Sequence, residues 1–234
     1  MKILKLFILV RNIIKKEYYG FVDLHIDLNN DHLLKMKSLL RSPNNDVVKE
    51  YESLFASLIG SGESISYASA RMGFYSLMKV YGIKEGDEII LPAATCSVMV
   101  NAVLRIGAKP VYSDIDSDTF GSSIEGVERV LTKHTKMIVA QHSFGIPCDI
   151  QPIVKIANKR NIIVIEDCAL SLESKRDGIK VGNFGDASIF STDRSKPLNT
   201  ITGGMVYSKN RVIMKELRKM SDNLDELPKE KQKA

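Results

Sequence analysis

From about Ser66 onward, short apolar segments alternate with segments in which apolar residues recur at helical spacing. The apolar segments include EIILPA, PVYSDID, MIVAQHSFG and IIVIEDCA, and the helical ones include CSVMVNAVLRIGA, SIEGVERVLTK and DIQPIVKIANKRN. Strands that alternate with helices predict βαβ units and a parallel sheet. Because IIVIE and MIVA are continuous apolar runs, we expect helices on both faces of that sheet. The predicted fold class is α/β, a three-layer α/β/α domain with a mostly parallel central sheet.

The two ends of the chain differ from this central part. GIKVGNFGDASIFS and GGMVYSKN are short β-like pieces joined by glycine-rich turns, which indicates a hairpin or added strands at one side of the sheet. An amphipathic helix with a packing role is predicted from about Asp46 to Ile59. We divide the chain into an N-terminal segment with this packing helix (1–60), a large domain (61–210) and a C-terminal helix (211–234).

Length and composition indicate one globular domain. The chain has 234 residues, of which 44% are hydrophobic, enough for one full core. Its formal net charge of +5 is spread without a basic block, which argues against a nucleic-acid partner. The apolar run before Arg11 has only five residues, too short for a signal peptide or for a membrane span of about 20 residues. We expect a soluble, cytoplasmic protein with no membrane partner.

The cysteines give no sign of a metal site or of a disulfide framework. Cys96, Cys148 and Cys168 are odd in number, widely spaced and set in apolar surroundings, and no CxxC pair occurs. This pattern is typical of reduced thiols in a cytosolic protein. We therefore expect no metal.

Chemically active residues are expected just after the strands, because ligands of open α/β sheets bind beyond the carboxyl ends of the strands. Asp167 ends the run IIVIED; it is either a helix N-cap, worth about 1 kcal/mol, or the partner of a protonated ring nitrogen. Ser69, Ala70 and Arg71 precede a helical pattern. They form either an ordinary capped helix or a phosphate site at the free N–H groups of the helix start.

Lys196 lies in a polar loop within FSTDRSKPLNTITGGMVYS, five residues after Ser191. Such a lysine is usually solvated, but a desolvated lysine is a Schiff-base nucleophile. Pyridoxal 5'-phosphate (PLP) requires an imine-forming lysine, an acid for its ring nitrogen and a cradle for its phosphate. The sequence offers a candidate for each of these three requirements.

Six segments in the same order carry a resemblance to a known family. They are GIKEGDEIILPAATC, NAVLRIGAKPVYSDID, TKMIVAQHSFGIPCDI, IIVIEDCA, KVGNFGD and FSTDRSKPLNTITGGMV. Between about Ser64 and Asn210 the chain resembles the large domain of the DegT/DnrJ/EryC1/StrS sugar aminotransferases, which have the fold-type-I architecture of PLP-dependent transferases. Six ordered matches are specific, whereas any one of them alone would be weak.

The resemblance implies a role for several residues. Lys196 matches the lysine that binds PLP covalently, and Asp167 matches the acid that pairs with the pyridine nitrogen. Ala169 matches the small residue that packs on one face of the ring. Ser191 and the turn Ser69-Ala70-Arg71 match the groups that bind the phosphate.

Other positions depart from the family pattern. Cys96 stands where most members place an aromatic residue that stacks on the ring, and Leu170 stands where they place Gln or His near the phenolic oxygen. Pro197 and Thr202 replace the usual Asn and Glu near the expected substrate. His142 matches a histidine of many relatives, and we expect both His142 and Pro197 at the substrate cleft.

The activity that the resemblance implies is ping-pong transamination through a Schiff base with Lys196. An amino acid, usually glutamate in this family, donates the amino group, and a keto sugar linked to a nucleotide accepts it. The expected assembly is a homodimer. Family members continue into a small C-terminal domain that this chain lacks, so we expect a fragment, although a split enzyme or a reduced protein would also fit.

Three other functions can be compared with this hypothesis. A non-catalytic or split dimerising module on the same fold would not need Lys196 and Asp167, and both are present. A PLP-dependent sugar dehydratase of the family carries histidine at the position of Lys196. A nucleotide-dependent oxidoreductase would need a GxGxxG fingerprint after the first strand, and the sequence contains none.

Overall fold

The computed structural model describes residues 45–224 and, outside that range, Leu34 alone. The helices of residues 45–224 are α1 (Asn45–Ile59), α2 (Ala70–Val80), α3 (Ser97–Arg105), α4 (Ile124–Val130), α5 (Ile150–Lys159) and α6 (Arg211–Asp222). The strands are β1 (Glu63–Tyr67), β2 (Glu88–Pro92), β3 (Lys109–Ser113), β4 (Thr135–Gln141), β5 (Ile163–Asp167), β6 (Lys175–Arg176), β7 (Ile179–Lys180), β8 (Ala187–Ser191) and β9 (Gly204–Ser208).

Seven strands form the central sheet, in the order β1-β9-β8-β5-β4-β2-β3. The run from β8 to β3 is parallel throughout. The exception is β9, which lies antiparallel between β8 and β1. The carboxyl ends of six strands and the amino end of β9 therefore lie at one edge of the sheet, which we call the carboxyl edge; the opposite edge is the amino edge.

Successive residues of each strand face opposite sides of the sheet, so one strand contributes to two cores. Ile89 and Leu91 of β2 belong to a core that includes Phe74 of α2 and Leu217 of α6. Ile90, which lies between them, belongs to a second core that includes Ile153 of α5. Helices thus cover both faces, and the three-layer prediction is confirmed.

Helix α1 covers the β8–β9 end of the second face. Phe55 meets Phe190 of β8 edge to face, with ring centroids 5.2 Å apart, and both residues are buried with Cys168, Met205 and Tyr207. Edge-to-face pairs add about 0.5–1.5 kcal/mol beyond the burial of their area. This helix therefore packs on the second face of the sheet, against the strands that lead to Asp167 and to the Lys196 loop.

The structure confirms the predicted alternation and corrects its start. The helix expected from Asp46 to Ile59 is α1, and the expected hairpin is the β8–β9 pair. The strand β1 was missed, because the alternation was placed from Ser66 onward. The helix expected in 211–234 ends at Asp222. The division into 1–60, 61–210 and 211–234 stays a prediction, and parts of its first and last segments lie outside the described residues.

The longest helix within residues 45–224 is α1, with 15 residues. None of the described helices has the length and apolar character that crossing a bilayer requires.

Candidate active site

The predicted site residues follow neighbouring strands at the carboxyl edge. Asp167 ends β5 and pairs with Ile189 of β8. Ser191 ends β8 and pairs with Gly204 of β9, which also pairs with Tyr67 at the end of β1. The turn after β1, the Lys196 loop and the end of β5 are therefore brought together by the sheet itself.

Asp167 is 6% exposed, and its Oδ1 accepts the N–H of Ala169 at 3.0 Å. The residues after β5 form turns and no helix, so the alternative interpretation of Asp167 as a helix N-cap is wrong. Burial raises the pKa of this carboxyl, and the Ala169 N–H, His142 and Lys196, in that order, offset part of the rise. A cationic N–H partner would stabilise the charged form of such a buried carboxylate.

Lys196 is half-buried in the loop between β8 and β9. Its backbone N–H donates to the carbonyl oxygen of Asp193 at 2.9 Å, which fixes the chain around it. Within residues 45–224, its Nζ forms no hydrogen bond or ion pair, and its electrostatic interaction is with Asp167. The amine is therefore not committed to another side chain of the described residues and is available to a ligand.

The base of the Lys196 loop is closed by hydrogen bonds between Thr192, Thr200 and Gly203. The N–H of Thr192 donates to the carbonyl oxygen of Gly203 at 3.0 Å, and the N–H of Thr200 donates to that of Thr192 at 2.9 Å. The hydroxyl of Thr202 donates to the carbonyl oxygen of Ala68 at 3.1 Å. The loop is therefore tied to the turn after β1.

The glycine pair of the loop permits this close approach. A Cβ at Gly203, where φ is +155°, would lie 2.5 Å from Thr192 Oγ1. A Cβ at Gly204 would lie 2.5 Å from the Cα of Ala70 and 2.6 Å from the carbonyl carbon of Ser69. Any side chain at Gly204 would therefore push the start of α2 away from β9.

The start of α2 is capped and still has open amides. Ser69 is the N-cap, and its Oγ accepts the N–H of Met72 at 3.3 Å. Within residues 45–224, the N–H groups of Ala70 and Arg71 donate to no protein acceptor, and the Arg71 side chain is exposed. Open amides at a helix start attract anions, so capping and phosphate binding are compatible here.

The remaining predicted residues also lie at the carboxyl edge. Ser191 and Ala169 are half-buried, the first at the end of β8 and the second in the turn after Asp167. Cys96 is exposed at the start of α3, beyond the end of β2. Pro197 is exposed next to Lys196.

His142 is placed differently from the cleft position expected for it. Its side chain is fully buried, and its Nε2 lies 3.1 Å from Oε2 of Glu166. The backbone N–H of Cys148 donates to Nδ1 at 3.1 Å. Both ring nitrogens are thus occupied by protein groups, and this placement does not support contact with a substrate.

Glu166 is the second carboxylate at the end of the run IIVIED, and sequence reasoning assigned it no role. It has 0% exposure, and besides His142 it accepts the backbone N–H groups of Gly182, Phe184 and Gly185 at 2.7, 2.7 and 2.8 Å. The signal lay in strand alternation, because Glu166 must face away from Asp167. The KVGNFGD segment supplies the three amides.

His142, Glu166 and Cys168 form a buried group with ligand-type atoms within 4.8 Å of one another. Burial raises the pKa of the Cys168 thiol to about 12, so the thiol keeps its proton at neutral pH. Because Glu166 is already engaged by backbone amides, we interpret the group as a hydrogen-bonded cluster.

The carboxyl edge fits a phosphate-bearing pyridine aldehyde. Lys196 offers an unpaired amine, Asp167 a buried carboxylate whose Oδ2 has no donor among the described residues, and the start of α2 its open amides. A separate, mainly apolar cavity of about 510 Å³ shares Ser69 and Arg71 with this site, but α2, α3 and the end of α6 line it, and neither Lys196 nor Asp167 does. We assign the chemistry to the carboxyl edge because its polar groups converge there.

Solved structures define the class of this fold. An aminotransferase from Psychrobacter cryohalolentis is similar with a TM-score of 0.82 and 27% identity, over 89% of this chain and 56% of that chain. A proposed sugar aminotransferase from Streptococcus pneumoniae, solved in its PLP-form, is similar with a TM-score of 0.77 and 25% identity, over 83% of this chain and 56% of that chain. The architecture is that of the fold-type-I PLP-dependent transferases.

The chain belongs to the DegT/DnrJ/EryC1/StrS aminotransferase family, whose model matches residues 29–232. GDP-perosamine synthase of Escherichia coli O157:H7 is 36% identical over 172 residues, which are 74% of this chain and 47% of that protein. The chain spans about half the length of the curated relatives it matches. The family resemblance inferred from the six segments is thereby confirmed.

Proposed function

We propose that this chain is the cofactor-binding part of a PLP-dependent aminotransferase. Its reaction moves an amino group from an amino acid, glutamate, to a keto sugar linked to a nucleotide. The observation that carries this proposal is the Nζ of Lys196, which has no hydrogen bond or ion pair within residues 45–224 and interacts electrostatically with the buried Asp167, at the edge where α2 begins. The nucleotide-sugar substrate is supported by the similarity to GDP-perosamine synthase.

The residues of the carboxyl edge divide the work of holding the cofactor. Ser69, Ala70, Arg71 and Ser191 would hold the phosphate, through open amides and hydroxyl groups. Asp167 would keep a proton on the ring nitrogen, and Ala169 would pack on the ring. In the strand order, β5 with Asp167 lies between β8 and β2. Cys96, which follows β2, is therefore on the side of Asp167 away from β8.

PLP, when bound, supplies the carbonyl that exchanges amines and the ring that takes up an electron pair. Lys196 would hold the cofactor covalently and, once released, use Nζ to take a proton from the α carbon of the donor and return it at the cofactor. The negative charge of Asp167 would favour a proton on the ring nitrogen, which would make the ring a better electron acceptor. Pro197, next to Lys196, is the residue of this loop that we place toward the substrate.

The lysine also separates this proposal from its alternatives. The family's sugar dehydratases carry histidine at this position, and a purely dimerising module has no use for an unpaired lysine near a buried carboxylate. Assembly as a homodimer stays a prediction from the family resemblance. The free thiols of Cys96, Cys148 and Cys168 support a cytosolic location.

A half-reaction tests this function. The chain is loaded with PLP and mixed with glutamate, and 2-oxoglutarate is counted against bound cofactor. We expect one 2-oxoglutarate per bound PLP, together with conversion of the cofactor to its aminated form, and none with Lys196→Ala. Bound PLP that yields no keto acid from glutamate or other amino acids would contradict transamination by this chain.

A further inference from the structure

The buried pair His142–Glu166 joins three parts of the chain: the end of β4, strand β5 and the segment 182–185. Backbone amides from residues 182–185 wrap the Glu166 carboxylate, with two donating to Oε1 and one to Oε2. His142 adds a contact from the end of β4. A buried carboxylate with this many donors is fully satisfied, whereas each of its donors would lose its acceptor if the carboxylate were removed.

His142 also holds both ends of the turn that follows Asp167. Its backbone N–H donates to the carbonyl oxygen of Asp167 at 3.0 Å, and its own carbonyl oxygen accepts the hydroxyl of Ser171 at 2.9 Å. Between these two anchors lies Ala169, whose N–H orients the Asp167 carboxylate. A shift of His142 would therefore move the turn that orients Asp167.

The hydrogen bonds fix the proton of the imidazole. Because the N–H of Cys148 points at Nδ1, that nitrogen must be the acceptor, and Nε2 must carry the hydrogen toward Glu166. A second proton on the ring would be favoured by Glu166 but would leave the Cys148 N–H without an acceptor. The pair thus has one arrangement that satisfies every buried donor.

The segment 182–185 can wrap the carboxylate only with glycine at two positions. Gly182 has φ of +93°, and a Cβ there would lie 2.8 Å from the Phe190 ring. A Cβ at Gly185 would lie 2.7 Å from the carbonyl oxygen of Val164. Asp186, which follows, accepts the N–H of Val164 at 2.8 Å and leads into β8, the strand before the Lys196 loop.

We propose that His142 and Glu166 are positioning residues. They form a buried clamp that fixes the turn carrying the Asp167 carboxylate relative to β8 and the Lys196 loop. Both side chains are fully buried, so they would act through the backbone on both sides of Asp167. The inference deepens the proposed function, but its structural part holds for the protein without cofactor.

Amide variants separate the two hydrogen bonds of His142. His142→Gln keeps a donor near the position of Nε2, whereas His142→Asn keeps an acceptor near Nδ1 but cannot reach Glu166. Glu166→Gln keeps the shape but places an NH2 group against the Gly182 amide and Nε2–H. The matched control is Glu88→Gln, because Glu88 is a buried glutamate, 7% exposed, at the amino end of β2.

The first readout is site-resolved amide hydrogen exchange in the protein without cofactor. In Glu166→Gln and His142→Asn, we expect the amides of 182–185 and of Ala169 to exchange about tenfold faster or more, with other β-sheet amides little changed. His142→Gln should retain most of the protection. Glu88→Gln should affect only the amides around β2. Loss of protection confined to 182–185, with Ala169 unchanged, would overturn the clamp.

The second readout is PLP affinity by absorbance titration. We expect about tenfold weaker binding in Glu166→Gln and His142→Asn, and binding within about twofold of wild type in His142→Gln and Glu88→Gln. Unchanged PLP affinity in Glu166→Gln and His142→Asn would overturn the proposal that the clamp positions Asp167. If wild type fails to bind PLP, the proposed function fails, while the exchange experiment still decides the clamp. If Glu166→Gln does not fold, the two His142 variants decide.

Discussion

The two edges of the sheet differ in whether their charged residues have direct partners. At the amino edge, Glu88 accepts hydrogen bonds from Thr132 and from Lys109, whose Nζ lies 3.0 Å from its carboxylate. At the carboxyl edge, Lys196 and Asp167 interact electrostatically without a direct ion pair. A paired charge is explained by its partner, whereas a charge without a direct partner near a buried carboxylate is a candidate functional group. The contrast teaches that partner groups, and not residue type, separate Lys109 from Lys196, the lysine for which we propose a reactive role.

Glycine substitutions at the two edges test this contrast with the largest expected effect on stability. Gly204→Ala should lower the free energy of unfolding by about 3 kcal/mol, because its Cβ would collide with the backbone of Ser69 and Ala70. Gly86→Ala, between α2 and β2, has open space and only an unfavourable φ of +84°, so about 1 kcal/mol is expected. Urea unfolding of both variants measures the difference.

The same variants also test the site. Gly204→Ala should abolish PLP binding, because it displaces the helix start that we propose as the phosphate site, whereas Gly86→Ala should bind PLP like wild type. Equal losses of stability in the two variants would mean that the approach of α2 to β9 is not constrained.

The two buried acids should respond to pH in opposite directions in the cofactor-free protein. Hydrogen bonds from Thr132 and Lys109 lower the pKa of Glu88, so its stabilising contribution is present at neutral pH and is lost as the pH falls through that lowered pKa. Burial raises the pKa of Asp167, so the cost of its charge begins to appear as the pH rises above the ordinary carboxyl pKa and is complete once the pH has passed the raised pKa.

Glu88→Gln should therefore be less stable than wild type at neutral pH, by about 1 kcal/mol, and Asp167→Asn should be more stable. Both differences should disappear in acid. Denaturant unfolding across a pH series checks the signs. Destabilisation by Asp167→Asn at neutral pH would show that Asp167 is a structural acid like Glu88. The expected gain in stability with loss of PLP affinity would mark Asp167 as functional.

Removal of Lys109, the lysine paired with Glu88, should have the smallest effect on the free energy of unfolding. The side chain of Lys109 is 67% exposed, so Lys109→Ala should cost about 0.5 kcal/mol or less and leave PLP binding unchanged. Thermal unfolding and absorbance titration provide the two measurements. A loss of PLP binding in this variant would remove the distinction between the two edges.

The sequence predicted the parts of the fold that depend on side-chain pattern. Continuous apolar runs such as IIVIE identified the buried strands, and glycine-rich turns identified the β8–β9 hairpin. The strand β1 escaped because ESISY is short and half polar, and it becomes a strand only by pairing with β9. Local patterns do not contain that partner.

For the candidate site, the location of the main residues was predictable from the sequence. Lys196, Asp167 and the turn at Ser69 follow strand ends, and the sheet brings them to one edge as expected. The role of Glu166 was not predictable, because its partners are backbone amides of a loop whose path depends on the folded chain. His142 was expected in the cleft because it follows a strand end. Its position in the sequence does not show that the ring points into the protein interior toward Glu166.

The most direct test of the account is to add PLP to the chain, reduce with borohydride and map the modified peptide. The account predicts one adduct, on Lys196, with none on Lys109 and none in Lys196→Ala. An absent adduct, or one spread over Lys109 and other surface lysines, would contradict the claim that the unpaired lysine of the carboxyl edge holds the cofactor.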